Sequence, residues 1–373
     1  MTESIEELRE KINAIDRDLL ELISKRVQIA KKIGEVKKEK GLPVADYKRE
    51  LEVVNRGKQL AEQLGLDAEL IEVALRAIIG VCRKAQRSIR VAFLGPRGSF
   101  SEEAAVKAFL SEGAEFYPMP SIRDIFRSVE CGDVEYGLVP VENSLEGGVG
   151  ETLDLLVETS LRICGEIKIR ISMNLIARPG LKLQDVKLVL SHPHALGQCR
   201  EFLNRVLGGV EIKTCSSTAE AVRRALELEG AAAIGSRAAA DLYGGEVLAS
   251  EIQDVKDNFT RFLILGKKRL EGTVGCKTSI IFRLPHIPGS LYDALSCFAS
   301  RKINLTRIES RPVKGKPWEY IFHVDFEGDY ERDERCKEAL RELEGKALFL
   351  KVLGCYGEIA EPPSNNSESQ AVD

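Results

Sequence analysis

Apolar residues recur at helical spacing through the first 87 positions, and the pattern changes at Ser88. Ser4 and Glu7 fit a capping box. After them Leu8, Ile12, Ile15, Leu19, Leu22, Arg26, Ile29, Ile33 and Val36 follow in steps of four and three. The spacing predicts one helix from Ser4 to about Glu39, roughly 50 Å long at ~1.5 Å per residue. It should stop at Gly41-Leu42-Pro43. Two shorter helices follow, from about Tyr47 to Leu64 and from Asp67 to about Gln86. Two short helices cannot cover so long an apolar seam, so the pattern also predicts association with a second chain.

From Ile89 to Gly266 short β-rich runs such as IRVAFLG and VKLVLS alternate with capped helical stretches. That order predicts an α/β region with mainly parallel sheets, long enough for two lobes and a cleft. RISMNLIARPGL, ending at Gly180 and Leu181, reads as the passage between lobes. Residues 276–356 follow the order βαββαβ, the ferredoxin-like split motif. The polar stretch 358–373 lacks an apolar pattern and reads as a disordered tail. The expected domains are therefore 1–87, 88–268 and 274–357, followed by that tail.

Composition removes several function classes. A formal net charge of −4 gives no general pull towards nucleic acid or an anionic membrane. The opening MTESIEELRE is acidic and helical, unlike a secretory signal, and the apolar runs are too short to cross a bilayer. Nine cysteines without a CxxC pair, and four histidines, make no zinc pattern. They suit reduced thiols, although heavy charge usage leaves open a thermophilic source, where intracellular disulfides occur. There is no GxGxxG or P-loop sequence.

Arg26 occupies a seam position otherwise filled by Ile, Leu and Val, and Lys37 lies three turns on, on about the same face. Gln86 is the polar member of the third helix's stripe. On pattern alone Arg26 reads better as a snorkelling side chain or an interface ion pair than as a site residue. LREKINAID, Lys25-Arg26, Lys37 and PVADYKRE together resemble the all-helical chorismate mutases over residues 3–87. These often stand in front of prephenate dehydratases in bifunctional enzymes. The resemblance implies a three-helix domain in an intertwined dimer. Arg9, Arg26 and Arg49 would hold the chorismate carboxylates, with Arg9 supplied by the partner chain. Lys37 and Gln86 would bond the ether oxygen, and Asp46 and Glu50 the ring hydroxyl. Cys82 stands in the substrate site where the family often has Ser. Such a rearrangement needs orientation and stabilisation of charge on one oxygen, and no cofactor or metal.

Four signatures fall at strand ends or helix starts in the α/β region. They are GPRGSFSEEAA from Gly95, VENSLEGG from Val141, SHPHALGQC from Ser191 and DNFTRF from Asp257. Singly each fits an ordinary turn or cap, and His192 beside Pro193 reads better as a cap than as a metal or hydrolase site. In sequence, order and spacing the four resemble prephenate dehydratase over 89–266. The resemblance implies a two-lobed fold like that of periplasmic binding proteins. Thr260 would be the general acid and Arg261 a carboxylate or charge-stabilising contact. Asn143, Ser191 and Gln198 would orient prephenate, with Ser99, Ser144 and Phe262 nearby. Ser99 stands where the family often has Thr.

Glu309-Ser310-Arg311-Pro312 and IPGSLYDAL resemble the ESRP and helix-start elements of the ACT regulatory domain. Gly289, Ser290 and Leu291 would join the ESRP residues in binding L-phenylalanine, with Ser290 in place of the usual Ala. The resemblance as a whole implies a cytoplasmic homodimer or homotetramer that makes phenylpyruvate from chorismate. Two alternatives stand beside it: a dehydratase whose helices only dimerise it, and a non-catalytic two-lobed binding protein.

Overall fold

Ser4 and Glu7 open the first helix as a reciprocal cap. Ser4 N–H donates to Glu7 Oε2 at 2.8 Å, and Glu7 N–H donates to Ser4 Oγ at 3.2 Å. The computed structural model describes residues 4–39, 46–86, 89–109, 113–270, 273–313, 315 and 318–359, with only the backbone of 38, 39 and 86. The expected stop at 41–43, the side chain of Gln86 and tail positions 360–373 lie outside the described residues.

Helices α1 (Ile5–Glu39), α2 (Tyr47–Gln63) and α3 (Ala68–Gln86) make up most of one compact unit. Asp46 caps α2 by accepting the Arg49 N–H, and Asp67 caps α3 by accepting those of Glu69 and Leu70. On α2 the bare backbone of Gly57 makes room for Leu75 of α3, whose Cδ1 occupies the space a Cβ would take. The seam of α1 stays largely uncovered in the single chain: Ile15 is 65% exposed and Leu22 62%.

The second unit holds everything described from Val91 onward except Phe109 to Glu115. Its first lobe comprises β1 (Arg90–Leu94), α4 (Phe100–Ala108), β2 (Glu115–Met119), α5 (Ile122–Cys131), β3 (Tyr136–Asn143), β4 (Gly147–Gly148), α6 (Gly150–Glu158) and β5 (Arg162–Arg170). Residues 171–173 carry the chain into the second lobe. There β6 (Asn174–Ala177), β7 (Leu188–Ser191), α7 (Pro193–Gln198), α8 (Arg200–Val206), β8 (Glu211–Thr214), α9 (Thr218–Glu227), β9 (Ala231–Gly235), α10 (Arg237–Tyr243) and β10 (Glu246–Ala249) follow. The return strand β11 (Phe259–Gly266) inserts between β5 and β3 and runs antiparallel to both. The sheets are therefore more mixed than the expected parallel ones, because two crossings between lobes reverse the strand direction.

The βαββαβ order appears as β12 (Val274–Arg283), α11 (Ser290–Ala299), β13 (Leu305–Pro312), β14 (Tyr320–Glu327), α12 (Glu334–Lys346) and β15 (Phe349–Glu358). Its sheet is continuous with the first lobe in the order β13-β14-β12-β15-β5-β11-β3-β1-β2. At the joint β15 runs parallel to β5, and Ile359 N–H donates to Glu166 O at 2.8 Å. Positions 358 and 359 thus belong to the fold and not to a tail. Alternation along β12 and β14 separates two cores. Ile280, Phe282, Val324 and Phe326 face helices α11 and α12, while Ile281 and Ile321 join Leu153, Leu156 and Leu263 of the first lobe. Cys276 and Cys355 are joined in a disulfide between β12 and β15, contrary to the expectation of reduced thiols alone.

Charges are buried where these layers meet. Arg261 Nε lies 2.7 Å from Glu166 Oε2, its Nη1 lies 2.7 Å from Asp325 Oδ2, and its Nη2 donates to Tyr356 OH at 3.0 Å. Lys277 Nζ adds a second cation 2.6 Å from Glu166, and Ser279 Oγ donates to Asp325 at 2.5 Å. Burial alone would raise the Asp325 carboxyl, but Arg261 and Arg307 hold it below its usual range. His323 lies on the same face, and neither ring nitrogen has a hydrogen-bond partner among the described residues. Burial, reinforced by Arg307 and Arg311, pushes its pKa down to about 4 against the opposing pull of Asp325 and Asp154.

Two stability predictions follow from the cluster. Replacing Arg261 by Met leaves Glu166 and Asp325 buried and short of a cation, which should cost about 3–5 kcal/mol in urea unfolding. A loss below about 1 kcal/mol would mean the cluster is in effect solvated. His323 stays neutral in the folded chain where an unfolded chain binds a proton. Its contribution is therefore absent above pH 6.5 and becomes a loss of stability as pH falls from 6.5 towards 4. A His323→Leu variant should show a smaller acid-side drop in unfolding midpoint over that window than the parent chain.

Candidate active site

A cleft of about 1040 Å³ is lined by residues of both lobes of the second unit. Strand alternation decides which part of the DNFTRF element reaches it. Thr260 and Phe262 of β11 line the cleft, while Arg261 between them turns to the opposite face and into the buried cluster. The expectation that Arg261 touches substrate is therefore corrected. A cation bound by Glu166, Asp325 and Tyr356 on the far side of the sheet is not presented to the cleft.

Thr260 pairs in register with Asn143 of β3. Asn143 Oδ1 accepts the backbone N–H groups of Leu145 at 2.9 Å and Glu146 at 3.1 Å, so its Nδ2 must serve as the donor. That nitrogen donates to Thr260 Oγ1 at 3.0 Å and to Asn258 Oδ1 at 2.8 Å. Asn258 Nδ2 donates to Gln198 Oε1 at 3.0 Å, and Gln198 Nε2 donates to Glu146 Oε1 at 2.9 Å. Since Glu146 N–H reaches Asn143, the bonds close into a ring. Glu146 also contacts His194 Nδ1.

The remaining dehydratase candidates are less uniform. Ser99 and Gln198 line the cleft. Ser99 Oγ accepts from Glu102 N–H, capping α4, and donates to Leu94 O at 3.1 Å. Ser144 Oγ accepts the Phe259 N–H at 3.0 Å and so holds the loop after β3 to β11. Ser191 is fully buried, donates to Ile234 O at 2.7 Å and does not line the cleft. Its expected contact with substrate is corrected to a bond inside the second lobe. His192 caps α7 by accepting the His194 N–H, as the cap reading anticipates. Arg97 and Arg223 bring cationic groups to the cleft, and the α9 start at Ser216, Ser217 and Thr218 lies in its wall. Sequence reasoning passed over Asn258, although it stands two positions before Thr260.

In the helical unit Arg26 Nη1 donates to the buried Cys82 Sγ at 2.7 Å, joining α1 to α3. Glu50 is held by Arg83, whose Nε donates at 2.7 Å and whose guanidinium lies 4.8 Å from the Tyr47 ring centre. Arg83 is 4% exposed and escaped the sequence reading, since nothing local marks a pair 33 residues apart. Arg49 pairs with Glu52 at 2.9 Å, Asp46 is occupied as a cap, Lys37 is half-buried, and Arg9 is exposed.

In the βαββαβ region Gly289, at φ +89°, precedes α11, whose first residues are Ser290 and Leu291. On β13 Glu309 and Arg311 turn inward, while Ser310 and Pro312 are exposed. Glu309 pairs with Arg307, and Arg311 Nη2 donates to Asp154 Oδ1 at 3.1 Å. The Glu309 carboxylate lies where a Cβ on Gly148 would stand, and the Arg311 guanidinium lies 2.9 Å from the same point on Gly150.

Known proteins share this organisation. Residues 8–87 match chorismate mutase type II and residues 91–270 match prephenate dehydratase. A bifunctional chorismate mutase/prephenate dehydratase of Aquifex aeolicus is 42% identical over 95% of this chain and 98% of its own length. A crystal structure of an Arthrobacter aurescens prephenate dehydratase in complex with L-Phe is 35% identical, with TM-score 0.67. That match covers 72% of this chain and 90% of the other. GqqA, described as a quorum quenching acylase, is 31% identical with TM-score 0.65 over 72% of this chain and 98% of its own. No described helix is long and apolar enough to cross a membrane. With two family matches in tandem and a relative this similar along nearly its whole length, the chain belongs to the bifunctional chorismate mutase/prephenate dehydratases.

Proposed function

We propose that dehydration takes place in the cleft with Thr260 as proton donor, and that the helical unit supplies its prephenate. The observation that carries this reading is the bond from Asn143 Nδ2 to Thr260 Oγ1 at 3.0 Å. The threonine oxygen accepts there, which leaves its own hydrogen for a ligand in the cleft. As the bond to the ring carboxylate breaks and carbon dioxide leaves, its electrons complete the aromatic ring and expel the hydroxyl. Thr260 protonates that oxygen as water departs, and solvent restores the proton. Arg97 and Arg223 line the cleft and would meet carboxylates there, Arg223 while keeping Nη1 on Glu227 at 2.8 Å. An amide donor beside Thr260, where a nucleophile would need a base, favours proton donation over acyl transfer.

In the helical unit Arg26 and Arg49 would orient chorismate. Lys37 and Gln86 would stabilise the ether oxygen, with Asp46, Glu50 and Cys82 around the ring. Arg9 lies 17 residues before Arg26 on α1, about 26 Å at ~1.5 Å per residue. It can complete the site only from a second copy, which the exposed seam of α1 would recruit. The L-Phe complex of the Arthrobacter relative supports phenylalanine as an effector of the βαββαβ region, through Gly289 to Leu291 and Glu309 to Pro312.

One set of assays tests all three parts. Thr260→Ala should lower phenylpyruvate formation from prephenate by at least about a hundredfold and leave chorismate consumption within about twofold. Lys37→Ala should do the reverse. Loss of both activities in either variant would contradict independent sites. L-Phenylalanine added to the unaltered chain should slow dehydration, and an unchanged rate would remove the effector role.

A further inference from the structure

We propose that Glu146 is a positioning residue for dehydration, fixing the direction of Gln198 and so locking, from the far end, the ring of amides beside Thr260. This rests on the reading of Thr260 as proton donor. A carboxylate can only accept hydrogen bonds. Gln198 must therefore turn its Nε2 to Glu146 Oε1, at 2.9 Å, and its Oε1 to Asn258 Nδ2, at 3.0 Å. If Gln198 flipped, it would set oxygen against carboxylate at one end and nitrogen against nitrogen at the other. Asn258 is thereby obliged to offer Oδ1 to Asn143. Asn143 is pinned independently by the N–H groups of Leu145 and Glu146. Both ends of the chain agree, and the result is a nitrogen facing Thr260 Oγ1.

Glu146 also ties the lobes. It stands in the loop after β3, while its two carboxylate oxygens meet Gln198 and His194 on α7 of the second lobe. An opening of the cleft that separates these elements breaks the ring at this link. The ring behind the proton donor is thus complete only with the lobes standing as they do here, which ties its full support to closure around the substrate. Asn258 is the buried middle of the chain, fully shielded from solvent.

The test uses the full chain with Glu146→Ala, Glu146→Gln and Thr260→Ala. Each is assayed for phenylpyruvate formation with kcat and KM separated. Chorismate consumption by the same preparation serves as the folding control. Glu146→Ala should lower kcat about ten- to a hundredfold with KM within about threefold. Glu146→Gln should recover most of that loss, because its amide oxygen accepts the same Gln198 hydrogen. Glu146→Ala at the parent kcat overturns the proposal. So does a raised KM with kcat unchanged, which would mark direct substrate contact. Glu146→Gln no better than Glu146→Ala overturns it too, by showing that charge and not acceptance matters. Thr260→Ala separates the two levels. Full activity in that variant sinks the proton-donor reading itself, whereas an inactive Thr260→Ala beside an unaffected Glu146→Ala sinks only the role of Glu146.

Discussion

The buried guanidinium of Arg261 is the constraint around which the second unit is built. A cation taken out of water is tolerable only with anions at close range, and here they come from two sequence regions, Glu166 on β5 and Asp325 on β14. The first lobe and the βαββαβ layer must be docked for the charge to be satisfied. Because β11 alternates, the residues on either side of this anchor are the ones that face the cleft. The strand that carries Thr260 to the cleft is thus held from behind by the βαββαβ layer.

That arrangement turns three domains in sequence into two compact units in space. The ten-stranded sheet, the shared apolar core and the charge cluster leave no soft joint between the dehydratase lobe and its neighbour. Lys351 on β15 reinforces the contact by donating to the final carbonyls of α6, Leu156 O at 2.9 Å and Val157 O at 3.1 Å. A shift in the βαββαβ layer has a direct mechanical route to β11, through contacts that desolvation makes hard to leave half-broken.

Much of this was legible in the residues because it obeys local rules. The cap at Ser4, the seam of α1, the order βαββαβ and the signatures at strand ends depend on neighbours a few positions apart. What escaped depends on distance. Glu50 with Arg83, Glu146 with His194 and Cys276 with Cys355 meet only after folding, and no periodicity announces them. The error over Arg261 was of another kind. Strict alternation along FTRFLILG already sets it on the face opposite to Thr260, yet a motif read as a string invites every member into one site. Ser191 illustrates the same hazard, since a hydroxyl in a signature can serve a carbonyl of its own lobe.

Gly148 and Gly150 carry an implication for how this chain tolerates change. The nearest atoms that a methyl group would meet at either position are the tips of Glu309 and Arg311. Those tips are flexible, so an alanine would fit once they swing aside, and the fold would survive. What would be lost is pairing: Glu309 from Arg307 at one position, Arg311 from Asp154 at the other. Drift at these two sites would therefore loosen the coupling of β13 to β4 and the start of α6, which follow Asn143 in the chain.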